Sequence, residues 1–410
     1  MKSDIVTVLD LGNTRIRCLA VQMDPEGQPI VRGQHIQECK GLKRGVVSDL
    51  DETVEAIDGV CRGLQNKTGL PVGPLVVAIG GQHIEGQNAQ GFVPIYPRSR
   101  LVTREDVLQV VNHSRQLMIP PDREQIQALP REFRIDGQRG IQRPIGMNGS
   151  KLEVITYIVT GQTTHIQNME RAINMAGQKV EQMVLKPLAS GLGVLTRENM
   201  ELGAAIVDIG GGSTEIAVFS GGSIAYSATL PVGSMLVTSD ISKLIKTSPE
   251  EAERLKIFHG SSWPDTISEK ETVEVMQLGQ THARPMQRRV LCEIIESRMR
   301  ELAIMVKQQI EKSGLFGMLP AGVFITGGGS LLPGADRLFE DVLKHIRVTQ
   351  VAPQMKGLQG TAKDRQGMSV AIGLATFALE CSDNELTPAS GASSWKDTVR
   401  SIRSLFSGRT

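Results

Sequence analysis

Two short stretches hold the residues best suited to chemistry. In "IVTVLDLGNTRIRCLAV" an apolar, β-rich run ends in Asp10, a turn of small residues follows, and a second apolar run leaves the turn. "AAIVDIGGGSTEIAVF" repeats the pattern around Asp208. Each reads as a strand-turn-strand hairpin. A Walker loop or a Rossmann turn would open a helix here, and no GK[ST] follows, so both of those nucleotide motifs are disfavoured. Placed face to face, the hairpins set two carboxylates across a cleft. Backbone N–H groups of Gly12, Asn13 and Thr14 lie on one side, and those of Gly210, Gly211, Gly212, Ser213 and Thr214 on the other. Carboxylates suit a hard cation such as Mg²⁺, which keeps waters of its own, and turn amides hold phosphate oxygens. The chemistry expected is binding of a metal-bound polyphosphate. Taken singly, either turn is also what an ordinary hairpin needs glycine for.

A third glycine cluster reads differently. "AGVFITGGGSLLPGADRLFEDVLKHI" has a buried strand, a turn at Gly327, Gly328, Gly329 and Ser330, and an amphipathic helix with Leu338, Val342 and Ile346 on its apolar face. Such a helix start offers N–H groups to an anion or a ring edge. Two more amphipathic helices are expected, "SPEEAERLKIF" and "RRVLCEIIESRMRELAIMVKQQIEKSG". In the first, Glu253 and Lys256 stand three apart on one face, which by itself suits a solvated ion pair. The basic pair Arg288 and Arg289 is expected on a solvated helix face.

These elements need a frame, and length and composition provide one. A chain of 410 residues can bury several cores, and 40% apolar residues with only 3% aromatics and 43 glycines suit an α/β protein with many tight turns. Two similar hairpins point to a duplicated domain. Between residues 82 and 162 the texture changes: "GFVPIYP", "TREDVLQVVNHSRQL" and "KLEVITYIVTG" read as strand, helix, strand with Pro-rich joints, as a small α+β insertion would. The formal net charge is +1, so global charge does not recruit nucleic acid. Cys18, Cys39, Cys61, Cys292 and Cys381 lack paired spacing and are expected to be reduced thiols. His35, His83, His113, His165, His259, His282 and His345 stand far apart in the sequence, and their spacing reads as no metal cluster. The start "MKSDIVTVLDLG" does not read as a secretory signal and no apolar run is long enough to span a bilayer, so a cytoplasmic protein is expected.

The tail is distinct. "CSDNELTPASGASS" reads as a linker, and "SSWKDTVRSIRSLFSGRT" follows. At about 100° per residue Trp395, Val399, Ile402 and Phe406 fall within an arc of roughly 60°, which Leu405 extends to about 120°. Lys396, Arg400 and Arg403 gather along one border. This layout suits a short helix in a membrane interface, basic edge toward anionic headgroups; docking on the protein's own surface or on a partner's groove is the alternative. Each large apolar side chain contributes roughly 1.5 to 3 kcal/mol when buried and each basic residue about 1 at an anionic surface. Folding so short a helix offsets much of that, so one tail binds weakly while a polymer-held array of tails binds firmly.

Five segments stand in the order of the phosphate, connecting and adenosine motifs of the actin-like ATPase superfamily: "VLDLGNTRIRCLAV", "VLKPLASGLGVL", "IVDIGGGSTEIAVF", "FITGGGSLLPGADRLFE" and "MSVAIGLATF". Within that superfamily, "AIGGQHIEGQNAQGFVPI", "VTREDVLQVV", "IPPDREQIQALPREFRIDGQRGIQRPIGMNGSKLEV" and "LPVGSMLVTSDISKLIKTSPEEAERLK" resemble the FtsA family of bacterial cell-division proteins. The resemblance implies an α/β, actin-like fold of duplicated RNase H-like domains. By it, subdomain 1A takes residues 1–81 and 163–195, inserted subdomain 1C 82–162, subdomain 2A 196–236 and 321–381, subdomain 2B 237–320, a linker 382–394 and a membrane-targeting helix 395–408. It implies ATP and Mg²⁺ as ligands, with Asp10 and Asp208 facing the metal, Gly12 to Thr14 and Gly210 to Thr214 on the phosphates, Glu253 and Lys256 at ribose and adenine, and Gly327 to Ser330 at the adenosine. It also implies filaments on the cytoplasmic face of the inner membrane at the septum, bound to lipid through the tail. These would tether the tubulin-like protein FtsZ through 2B and recruit later division proteins, with 1C serving polymer contacts.

Two departures from the family pattern matter. Filament-forming relatives such as MreB place a Glu before the Pro of the connecting helix; here Lys186 stands there, in "VLKPLAS". An ammonium cannot take a proton from water and favours holding phosphate over cleaving it, so weak or no ATPase activity is expected. Conversely, Ser213 and Glu215 match the loop of exopolyphosphatases, a phosphohydrolase alternative within the superfamily. A PilM-like pilus adaptor is a second alternative.

Overall fold

The computed structural model describes residues 5–116 and 119–382. Two five-stranded sheets share one topology. In the first the order is Val180–Leu185, Leu75–Ile79, Val6–Leu11, Arg15–Met23 and Pro29–Glu38; in the second it is Ser223–Leu230, Thr214–Ser220, Ala204–Ile209, Gly322–Thr326 and Val348–Gln350. Each is a three-stranded antiparallel meander extended on the side of its first strand by two parallel strands. The central strands are covered on both faces, which is why "VTVLDL" and "AAIVDI" are almost wholly apolar up to their aspartates.

Helices cover the sheets because their apolar residues form one stripe. Leu50–Thr68 starts at Asp49, whose side chain accepts from Glu52 N, and ends at Gly69 in the left-handed region; it buries Ala56, Ile57, Val60, Cys61 and Leu64 against the first sheet. Between the two sheets the connecting helix Lys186–Val194 crosses the C-terminal helix Ser369–Ser382 at backbone contact. A Cβ on Gly373 would lie 1.6 Å from Ala189 O, and one on Gly193 2.0 Å from Ser369 O, so only glycine permits this crossing. It carries the hinge-side core, with Leu188, Ala189, Phe219, Leu374 and Phe377.

The inserted unit is a four-stranded sheet in the order Gln138–Ile141, Arg123–Ile135, Lys151–Gln162, Ile84–Pro94, with helix Arg104–Arg115 on its face. The strand Arg123–Ile135, 13 residues long, is absent from the strand-helix-strand expectation. Its polar start and Pro130 argue against a strand. The fold admits the proline at an irregularity where Ile155 faces Glu132 but Thr156 faces Pro130, so Arg131 is left without an opposite residue.

On the second sheet, helices Ser234–Ile245, Pro249–His259 and Arg288–Lys312 pack around Ile241, Leu255, Ile295 and Leu302. Arg288 is half-buried, not simply solvated: it donates to His259 O at 2.8 Å and pairs with Glu271 at 2.7 Å. The helix after the third glycine cluster runs only Ala335–Leu343 and buries Leu338, Phe339 and Leu343, leaving Ile346 outside it. Lys344 and His345 take positive φ, 36° and 68°, which ends the helix a turn early.

Among the described residues no helix is long and apolar enough to cross a membrane. The expected membrane-binding residues Trp395, Lys396, Val399, Arg400, Ile402, Arg403, Leu405 and Phe406 lie outside the described residues, as does the linker beyond Ser382, which itself ends the C-terminal helix.

Candidate functional site

Both hairpins close in the same way. Gly12 N donates to Arg15 O at 3.2 Å and Gly210 N to Ser213 O at 2.9 Å, so each turn is pinned just beyond its aspartate. The turns then meet. Asn13 Nδ2 stands 3.5 Å from Ser213 Oγ, and Cβ atoms on Gly211 and Gly212 would come within 2.8 Å of Thr14 Cγ2 and 2.9 Å of Asn13 Cγ. Asn13 Oδ1 accepts from Gly45 N at 3.0 Å, fixing the amide. Thr214 is at the turn by its backbone only, since its hydroxyl donates to Val232 O at 2.7 Å.

Behind the turns the charges are buried. Asp10, 2% exposed, has Arg17 Nη1 3.2 Å from Oδ2 and Lys186 Nζ 2.9 Å from Oδ1. Asp208 Oδ2 accepts from Ser190 Oγ at 3.1 Å and Ser369 Oγ at 3.3 Å. Glu215, opposite Asp208 across its hairpin, accepts from Ser213 Oγ at 3.1 Å and from Thr229 Oγ1. Burial pushes the Asp208 carboxyl above its ordinary value, with Lys186 pulling against this and Asp10 adding to it. Burial raises Glu215 likewise, against the pull of Lys186. For Lys186 burial works against the charge, yet Asp10, Glu215 and Asp208 together outweigh it and raise its pKa.

The third turn closes on the same place. A Cβ on Gly327 would lie 2.3 Å from Asp208 Oδ1, while one on Gly328, which is exposed, would meet nothing within 4 Å. Gly329 is packed against Ile209. Ser330 is framework, donating to Gly327 O at 2.8 Å and accepting from Gln366 Nε2 at 3.0 Å. A short 3₁₀ turn, Gly328–Leu331, follows the glycine, so the α-helix start expected here is displaced to Ala335.

Glu253 and Lys256 are not a solvated pair. Lys256 is 6% exposed; its Nζ lies 2.7 Å from Glu253 Oε2, 2.8 Å from Thr238 Oγ1 and 3.2 Å from Ser234 O. Ser234 N and Met235 N donate to Gly210 O and Gly211 O, both at 2.9 Å. The pair is therefore coupled to the second turn through a helix start.

Arg17, Ser190 and Ser369 went unread in the sequence. Arg17 faces Asp10 in the hairpin register, and Ser190 is one helical turn from Lys186; both signals were available. Ser369 arrives from a distant segment. Two of the histidines meet, the rings of His83 and His165 lying 5.0 Å apart.

Among the described residues no three His, Cys, Asp or Glu side chains form a metal cage. Mg²⁺ takes one or two carboxylates and completes its shell with phosphates and water. Asp10 and Asp208 are the carboxylates that would face the ion beside a cradle of glycines, and the Lys186 ammonium already stands 2.9 Å from Asp10 Oδ1.

Known proteins fit this geometry. The family model "Cell division protein FtsA" matches residues 205–384, and "SHS2 domain inserted in FTSA" matches residues 81–160. The cell division protein FtsA of Neisseria meningitidis is 33% identical over 389 residues, covering 94% of this chain and 93% of that one. Two solved structures share the fold alone: the PilM-PilN type IV pilus biogenesis complex (TM-score 0.65, 16% identity, 91% of this chain and 98% of that one) and MreB5 of Spiroplasma citri bound to ADP (TM-score 0.58, 13% identity, 94% and 100%). The duplicated sheets make the fold actin-like. With the SHS2 insertion interrupting the first of them and a third of its residues shared along nearly its whole length with a cell-division relative, the chain belongs to the FtsA family.

Proposed function

We propose that this chain binds ATP, accompanied by Mg²⁺, in the cleft between the two acidic hairpins, and works as a membrane-attached cell-division filament. The observation that carries the reading is the meeting of the two turns at Asn13 and Ser213, with Asp10 and Asp208 buried and Lys186 half-buried behind them. Gly12 and Gly210 close the two turns, Asn13, Thr14, Gly211, Gly212 and Ser213 bind the phosphates through backbone N–H groups, Gly327 and Gly328 lie along the adenosine, and Glu253 and Lys256 hold the second turn in place. When bound, the metal neutralises phosphate charge. Asp10 and Asp208 would hold it through water, since both oxygens of Asp10 already face a cation.

The filament lies on the cytoplasmic face of the cell membrane at the division septum. The segment from Trp395 to Phe406 attaches it to lipid, the subdomain around residues 237–320 binds FtsZ, and the 82–162 insertion serves polymer contacts and later division proteins. Lys186 in place of a carboxylate supports slow ATP hydrolysis or none. ATP-dependent co-sedimentation with anionic liposomes tests the reading. Wild type is expected in the pellet and Trp395→Glu with Phe406→Glu in the supernatant with ATP binding unchanged; equal pelleting of both overturns it.

A further inference from the structure

Lys186 does more in this cleft than replace a carboxylate. It opens the connecting helix, followed by Pro187, Leu188 and Ala189, all buried, so its backbone is fixed. Its Nζ reaches Asp10 Oδ1 at 2.9 Å and lies 3.4 Å from Leu11 O, at the base of the first turn. Room is kept for it by Gly80, where a Cβ would fall 2.9 Å from Lys186 Cβ and 3.3 Å from Glu215 Oε1. Asp10, Glu215 and Asp208 all act on its charge. Three carboxylates thus face two cations, Lys186 and Arg17; without Lys186 they would face one, and an entering polyphosphate would need its positive charge from solution.

We propose that Lys186 is a resident counter-cation: its ammonium sits where a divalent ion would otherwise balance Asp10, Asp208 and Glu215, and phosphate binding in this cleft depends little on Mg²⁺. A lysine suits the part, because its ammonium has three rotatable donors on a flexible stem and can turn from a carboxylate toward a phosphate oxygen without leaving the site. Arg17 cannot share it, being held on the far oxygen of Asp10.

The inference rests on the proposed nucleotide site, and two arms keep the two separable. In the first, calorimetry follows ATP binding to the wild-type chain in EDTA and in Mg²⁺. The two affinities are expected within about tenfold of each other, and Lys186→Met is expected to widen the gap to about a hundredfold, the worth of one or two charge-assisted hydrogen bonds. A gap of about a hundredfold already in wild type overturns the inference. In the second arm, Mn²⁺ binding is followed by electron paramagnetic resonance with no nucleotide present. Wild type is expected to bind Mn²⁺ weakly and Lys186→Met to gain a site, with Mn²⁺ raising the variant's melting temperature. Tight Mn²⁺ binding by wild type, or no gain in a folded variant, overturns it. Should Lys186→Met fail to fold, the wild-type comparisons decide. Absence of ATP binding under both conditions removes the nucleotide reading and leaves the Mn²⁺ arm to judge Lys186.

Discussion

Tyr157 and Ser227 share a hydrogen bond of 2.9 Å, the phenol reaching from the inserted sheet to the outer strand of the second actin-like sheet. Tyr157 is 1% exposed, and burial pushes its pKa up to about 12, so it stays a neutral donor and acceptor at any working pH. Asn88 Nδ2 donates to Ala225 O at 3.4 Å beside it. These contacts tie the insertion to the second actin-like sheet. Tyr157→Phe should lower stability by about 1 kcal/mol, and Ser227→Ala by a similar or smaller amount. Urea unfolding of both singles and the double checks this: coupling between them is the expected result, and strict additivity would show that the bond contributes nothing.

Gly373→Ala should be costly. Its new methyl would meet Ala189 O at 1.6 Å, and both partners are helix backbone that cannot turn aside. A loss of about 3 kcal/mol or more is expected as the two helices between the sheets are forced apart. Thermal unfolding measures it; a variant as stable as wild type would mean that the crossing is looser than described.

His83 makes stability depend on pH. Burial first, then the His165 ring and the Arg123 guanidinium, lower its pKa from 6.5 to about 4. Neither ring nitrogen has a partner to hold a proton. With the folded value depressed, the contribution is intact above about pH 6.5 and lost as pH falls toward 4. The urea midpoint should therefore drop between pH 7 and pH 5 in wild type and drop less in His83→Phe. Parallel curves for the two proteins would remove His83 as the cause.

Lys256→Met separates support from solvation. With its ammonium held by Glu253, Thr238 and Ser234 O, the variant should lose roughly 1.5 to 3 kcal/mol, the range of a charge-assisted hydrogen bond. Because Ser234 N holds Gly210 O, ATP affinity should fall as well, by about tenfold. Denaturation and calorimetry on one preparation report both quantities. Unchanged affinity in a destabilised variant would uncouple the helix from the turn.

What the sequence revealed and concealed follows from where information is local. The two hairpins were legible because an apolar run ending in Asp and then glycine fixes both the strand and its turn. Lys186 was legible as a departure at a motif position. Its ion pair with Asp10 was not, because the two are 176 positions apart and only the parallel strand order of the first sheet brings them together. The strand Arg123–Ile135 was hidden by Pro130, which a tertiary irregularity accommodates. Lys256 read as a surface residue because spacing reports which residues share a helix face, and the burial of that face is decided by the neighbouring helix Ser234–Ile245. His83 and His165 illustrate the same limit, one at the start of a strand and the other on a helix brought beside it.

The central claim is that the third glycine turn and the twin hairpins enclose one nucleotide, and Gly328 offers the most direct test. A Cβ there meets nothing within 4 Å and the position is exposed, so Gly328→Phe should fold with the melting temperature of wild type while filling the space against that turn. Calorimetry with ATP is predicted to give one nucleotide per wild-type chain and an affinity at least about tenfold weaker for the variant. No heat from the wild-type chain, or equal affinity for both, contradicts the account.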